Sequence, residues 1–235
     1  MNAMKIVGGS QYSSISASEL LGRTLNDVEV KYTPKLLYVK GSMEIPLPSP
    51  RVSIIGNRKV SSEGLGATQL ITKALVEKQI VIVSGLAKGI DTAAHQTAMM
   101  NGGKTIAVIG TPLDKVYPAE NYQLQQEIVN NHLVISQFPV GYPITKKNFV
   151  LRNRTMALIS NATIIVEAGD SSGSLHQGWE TLRLGRPLFI WKSVFDNPKL
   201  TWAEKMLQYG AMKISEPEEI LEFLPSQLKM PNLFN

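Results

Sequence analysis

From residue 51 onward the chain keeps a two-beat rhythm. Short, almost continuously apolar runs rich in β-branched residues alternate with longer segments of helical spacing. The runs are Val52–Gly56, Ile80–Gly85, Thr105–Gly110, Leu133–Phe138, Ala162–Ala168 and Pro187–Lys192, with a last one at Ala211–Ile214. A run apolar on both sides of its pleat suits a strand covered on both faces. Between the runs lie Ser61–Lys78, Ile90–Asn101, Ala119–Asn131, Phe149–Ser160, Ser174–Leu184 and Lys199–Tyr209. In the first of these, Leu65, Leu70, Ile71, Ala74 and Leu75 fall largely on one helical stripe. Strand–helix alternation at this spacing predicts an α/β fold with a doubly wound, mainly parallel sheet.

Residues 1–50 do not share the rhythm. Lys35–Lys40 reads as one strand, and Pro46, Pro48 and Pro50 make an extended connector. The expected organisation is an N-terminal extension packed on the sheet domain (1–50), a Rossmann-like domain (51–215), and a C-terminal helix and tail (216–235). Glu216–Leu224 carries the helix, with Pro217 in its first turn, and 225–235 the tail.

Composition narrows the function. The chain has 235 residues, 43% of them hydrophobic, enough for a sizeable core and against disorder. It has no Cys, which excludes a disulfide framework, thiolate metal sites and a cysteine nucleophile. No apolar run is long enough to span a membrane, and Gly8-Gly9-Ser10-Gln11 interrupts any leader-like stretch. A soluble, cytoplasmic protein is expected. Its 24 Lys+Arg against 19 Asp+Glu give +5, a mild bias toward an anionic partner.

In an open parallel sheet, ligands bind outside the carboxyl ends of the strands. There the first run ends in Gly56-Asn57-Arg58-Lys59, and the second in Ser84-Gly85-Leu86-Ala87-Lys88-Gly89-Ile90-Asp91. The fifth opens into Gly169-Asp170-Ser171-Ser172-Gly173-Ser174 just before a helix. Small residues at a helix start leave backbone N–H groups free for a phosphate or carboxylate, although single glycines there are often only turn-formers. No acidic residue lies between Glu127 and Glu167, while Lys146, Lys147, Arg152 and Arg154 all do. The segment Lys146–Arg154 mixes cations, the amides of Asn148 and Asn153 and the aromatic Phe149. Phosphates take Lys and Arg and unstacked bases take a π-face, so this suits single-stranded nucleic acid; a solvated helix face with Phe149 in the core is the plainer alternative.

Other motifs carry less. Gly103-Lys104-Thr105 resembles the end of a P-loop, but position 98 is Ala and a strand follows. Gly169-x-Ser171-x-Gly173 fits a nucleophile elbow, yet the one His after it, His176, is too near to serve as a triad partner. His95, His132 and His176 lack ligand spacing, so neither a metal nor a cofactor is expected. Asp91 and His95, four residues apart, are expected to form a local structural pair.

Taken in order, these loops resemble the DNA-processing protein A (DprA/Smf) family. The matching stretches are Gly56–Arg58, Ser84–Asp91 (SGLAKGID), Thr105–Asn121, Phe149–Ser160 (FVLRNRTMALIS) and Val166–Arg186, preceded by Tyr32–Gly41. The resemblance implies a cytoplasmic single-stranded-DNA-binding protein rather than an enzyme, usually a homodimer, that protects incoming strands and loads RecA recombinase in natural transformation. It implies that Arg58 is a phosphate contact and that Ser84 and Gly85 line a pocket floor beside Lys88. Lys146 or Lys147 would form a cationic wall and Phe149 a stacking platform. Arg152, Asn153 and Arg154 would shape the pocket, while Ser172, Gly173 and Ser174 offer donors. The chain departs from the family pattern at Gln137, Pro112, His176-Gln177 and Trp191-Lys192. It is also expected to lack the N-terminal helical and C-terminal winged-helix modules of many members.

A competing reading is a nucleotide-ligand sensor, or a phosphoribohydrolase-like enzyme on a related core, with Glu167 or Glu180 as catalytic acid or nucleophile. A third is a structural protein that keeps the fold without the ligand.

Overall fold

The computed structural model describes residues 4–7 and 10–225. Strands β1 (Met4–Val7), β2 (Ser10–Ile15) and β3 (Leu37–Gly41) flank two short helices, α1 (Ala17–Leu21) and α2 (Asp27–Tyr32). The alternating part follows: β4 (Arg51–Gly56), α3 (Ser62–Glu77), β5 (Val81–Ser84), α4 (Ile90–Met100), β6 (Thr105–Ile109), α5 (Tyr122–Asn131) and β7 (Leu133–Ser136). Then come α6 (Lys146–Ile159), β8 (Ala162–Glu167), α7 (Ser174–Arg183), β9 (Leu188–Trp191), α8 (Thr201–Gln208) and β10 (Met212–Ile214).

All ten strands form one sheet, in the order β1-β2-β3-β7-β6-β5-β4-β8-β9-β10. From β7 to β10 every pairing is parallel, whereas β1, β2 and β3 extend the β7 edge antiparallel. The alternation of the pleat explains why both faces had to be apolar. Ile55, Val83, Val108 and Ile165 bury one face beneath α1, α6, α7 and α8. Ile54, Ile82, Ile164 and Val166 bury the other against Ile71 and Leu75 of α3 and Ala94 and Ala98 of α4. Ala107 and Ile109 continue that second face under Leu124 and Ile128 of α5.

Three expectations change. The buried stripe of α3 runs through Ala67, Thr68, Ile71, Thr72, Leu75 and Val76, leaving Leu65 and Leu70 exposed, while Gly64 packs against the Glu167 side chain. The terminal segment Pro217–Phe223 is a 3-10 helix, with Glu219 accepting from the backbone of Ser215 and Glu216. Within residues 1–50, β2 and β3 join the sheet edge, and Ile15, Leu20, Leu37 and Val39 enter its core. The expected tail lies outside the described residues from 226 on.

A buried charge network ties this N-terminal part to the alternating part. Asn26 and Glu29 form a capping box at the start of α2. Glu29, only 3% exposed, also pairs with Arg23 at 2.6 Å and with Arg186 at 2.7 Å. Arg186 turns its other nitrogen onto the carbonyls of Ala157, Leu158 and Ser160 at the C-terminus of α6. Chiefly through the hydrogen bond from Arg23, the Glu29 carboxyl is held down at about 2, against the opposing effect of burial.

Candidate nucleic-acid interface

Strand order reverses between β4 and β8, the two strands that begin the outward progression in opposite directions. Doubly wound sheets open a crevice at such a switch point. Here it is a hollow of about 440 Å³. Its walls come from the turn after β4 (Gly56, Asn57, Arg58), Ala87 before α4 and Asp91 within it, one face of α6 from Phe149 to Met156, and the loop Ser171–Ser174.

The turn after β4 is held from below. Glu167, at the end of β8, accepts from Asn57 Nδ2 at 2.9 Å and from Ser61 Oγ at 2.5 Å. The Asn57 side chain in turn receives the Gly169 N–H at 3.2 Å. This lattice fixes the backbone on both sides of Arg58 while its side chain stays exposed, without a hydrogen-bonding or ion-pairing partner among the described residues. An unpaired guanidinium on a fixed turn is available for an anion.

Helix α6 presents Phe149, Val150, Arg152, Asn153 and Met156 to the hollow, close to the i, i+3, i+4, i+7 spacing of one helical face. Phe149 packs one side against Gly110, where an added Cβ would stand 2.6 Å from the ring, and meets Tyr117 at 5.1 Å between ring centroids. Arg152 is buried and donates to the carbonyls of Gly85 and Val108, the latter at 2.8 Å. Gly85 is required here because any side chain would collide with that guanidinium. Burial lowers the Arg152 pKa, and the facing Asp91 carboxylate opposes the shift. Asp91, buried too, is raised by its own desolvation against the pull of Arg152, and accepts from Ala87 N at 3.2 Å. Asn153 donates to the Gly173 carbonyl at 2.9 Å, fixing the loop before α7. There Ser172 and Ser174 hydroxyls lie 2.6 Å apart, and the Ser174 N–H is met only by Ser172 Oγ at 3.4 Å.

The sequence-predicted residues therefore divide. Arg58, Phe149, Arg152, Asn153, Ser172, Gly173 and Ser174 are brought together around the hollow. Lys146 and Lys147 stand exposed in the first turn of α6, whose N-cap residue Thr145 makes no side-chain cap. Cations at a helix N-terminus oppose its dipole, so stability does not account for them. Gly85 and Lys88 line a smaller cleft on the far side of Phe149, where Lys88 pairs with Glu120.

Two of those residues are elsewhere. Ser84 belongs to β5 itself and is fully buried, its hydroxyl donating to Ile54 O at 2.7 Å, so it lines no floor. Arg154 points away, because two residues from Arg152 is a turn of about 200° on the helix. It pairs with Glu180 at 2.8 Å and lies over the Tyr32 ring. The expected Asp91–His95 pair does not form either: His95 lies 2.7 Å from Thr105 Oγ1, and burial pushes its pKa down to about 3. Asn57, Asp91, Val150 and Gln177 were missed; the helical phase of α6, read from Lys146, would have found Val150. Among the described residues no group of three or more His, Asp or Glu could hold a metal ion, and no helix is long and apolar enough to cross a membrane.

A doubly wound α/β sheet with a cation-edged hollow at its switch point places the chain in the class of Rossmann-like proteins. The family described as DNA recombination-mediator protein A matches residues 16–225, and the chain belongs to that family. It is 41% identical over 194 residues to DNA processing protein DprA of Streptococcus pneumoniae, covering 82% of this chain and 68% of that protein. Protein Smf of Escherichia coli is 33% identical over 192 residues, covering 81% of this chain but 51% of that protein. The crystal structure of the S. pneumoniae protein superposes with a TM-score of 0.76 at 35% identity, covering 91% of this chain and 75% of that one. Helicobacter pylori DNA processing protein A, whose structure concerns a single-stranded DNA binding mode, superposes with a TM-score of 0.76 at 27% identity, covering 91% and 95%. A molybdenum cofactor binding protein from Rippkaea orientalis shares the fold at 18% identity and a TM-score of 0.53.

Proposed function

We infer that this chain binds single-stranded DNA at the switch-point hollow and does so without catalysis. The observation that carries the reading is the meeting of the unpartnered Arg58, the Phe149 ring and the Ser172–Ser174 loop around one space. Phosphate would lie against Arg58 and the N-terminus of α7, and an unstacked base against Phe149. The exposed Lys146 and Lys147 extend positive potential beyond the rim. Relatives named as DNA processing proteins, and a related structure described by its single-stranded DNA binding, support the same reading. On this basis the chain handles incoming DNA in the cytoplasm, as a homodimer delivering the strand to RecA recombinase.

A hydrolase reading finds less support. Glu167 is occupied by Asn57 and Ser61, and Glu180 by Arg154 and Arg183, and neither lines the hollow. The carboxylate that does, Asp91, faces Arg152 from a buried position. Incubation with AMP is expected to release no adenine.

The deciding experiment is a salt titration of oligonucleotide binding, single- against double-stranded. Four phosphate contacts would give a log–log slope of roughly −3 on single strands. Arg58→Ala is expected to make that slope shallower by about 0.7, the share of one contact. Salt-independent binding, or none in low salt, would remove the proposal.

A further inference from the structure

We propose that Tyr117 and Lys88 form a second nucleotide subsite beside the main hollow, and that Glu120 guards it against phosphates that bring no base. This rests on the single-stranded DNA reading and extends it to the next nucleotide of the strand.

The smaller cleft, of about 40 Å³, shares Arg58, Ala87, Phe149 and Arg152 with the main hollow and adds Lys88 and Tyr117 of its own. The two spaces are thus neighbours that share the Phe149 ring as a wall. A space that small does not enclose a base, so its ligand must lie over the ring at its edge. Tyr117 is 46% exposed although it touches the Phe149 ring, so part of its surface is open to a ligand. Its plane is inclined 53° to that of Phe149, so the two rings do not cover each other face to face. They offer two neighbouring platforms for two successive bases whose own stacking has been broken. Arg58, shared by both spaces and free of partners, is placed for the phosphate that joins those two nucleotides.

Lys88 is the cation of this second space, and it is engaged by Glu120. Both side chains are more than half exposed, at 53% and 62%, so the pair is held weakly in water. A strand phosphate can replace the carboxylate, but Glu120 then remains nearby as a repelling charge. Stacking on Tyr117 offsets that repulsion for an unpaired base. A duplex, whose bases stay stacked on one another, gains no such compensation. The pair therefore acts as a filter for single strands.

The test compares an oligothymidylate with an abasic oligonucleotide of equal length in low salt. Tyr117→Ala is expected to weaken oligothymidylate binding about tenfold. It should leave the abasic strand unchanged, and Tyr117→Phe should restore wild-type affinity. Glu120→Gln is expected to tighten binding of the abasic strand and of duplex about threefold and that of oligothymidylate less, so that discrimination falls. Equal losses on both strands for Tyr117→Ala would mean a structural role and overturn the subsite. So would wild-type affinity in both Tyr117→Ala and Glu120→Gln while Phe149→Ala still weakens binding, an outcome that leaves the main hollow standing. If the wild-type protein ignores oligothymidylate altogether, the binding function itself fails and the subsite goes with it.

Discussion

Two groups of arginines in this molecule are used in opposite ways. Around Glu29, two guanidinium groups converge on one buried carboxylate, and Arg186 also closes the C-terminus of α6. At the other end of the same helix, Arg152 is held by carbonyls and Asp91, while Arg58 has no partner among the described residues. A guanidinium engaged by protein carbonyls and carboxylates is architecture. One mounted on a rigid turn with its donors unmet is a tool for something that arrives from solution.

The largest effect should come from breaking the paired region. Removing Glu29 leaves two arginines facing each other in a partly buried site, and Glu29→Ala should cost about 3 kcal/mol in urea-monitored unfolding. Binding of oligonucleotide per folded molecule should stay unchanged; a loss there would join the two regions functionally and spoil the contrast. The same network sets a pH window. Because the Glu29 carboxyl is held at about 2 against an ordinary 4.5, its contribution is complete above 4.5 and disappears as pH falls toward 2. Glu29→Gln should flatten the acid limb of stability over that window.

Next in size is the unpaired region. Phe149→Ala should lower single-strand affinity by about 2 kcal/mol with a smaller effect on thermal stability, since the ring is only half-buried. The smallest effect sharpens the distinction most. Arg154→Ala, two residues from Arg152 yet engaged by Glu180, should change DNA affinity by less than about 0.5 kcal/mol, measurable by fluorescence anisotropy beside Arg58→Ala.

The parallel strands could be read from sequence because burial on both faces writes itself as apolar runs, as in Ile80–Val83 and Ile164–Val166. β2 left no such trace. Its Ser-Gln-Tyr-Ser-Ser run has one hydrophobic anchor, Ile15, and pairs at a sheet edge where tertiary contact supplies what pattern does not. The site was legible in its loops and blurred where side-chain direction mattered. Ser84 was expected at a pocket floor because it ends its strand beside Gly85, but its hydroxyl donates inside the sheet to Ile54 O. Arg154 looked equivalent to Arg152 because composition carries no angle, although both lie in the predicted helix and two residues there turn about 200°. Asp91 was visible, but a spacing rule assigned it to His95, while the fold turned it toward Arg152.

Gly110 never borders the hollow, yet its missing side chain is the seat into which the Phe149 ring settles. The breadth of the aromatic shelf is thus governed from behind. An alanine at that position would tip the ring forward and narrow the mouth with no ligand-touching atom replaced. Width and grip can therefore drift separately as such proteins diversify, the one through a residue in the strand-end turn, the other through the cations at the rim.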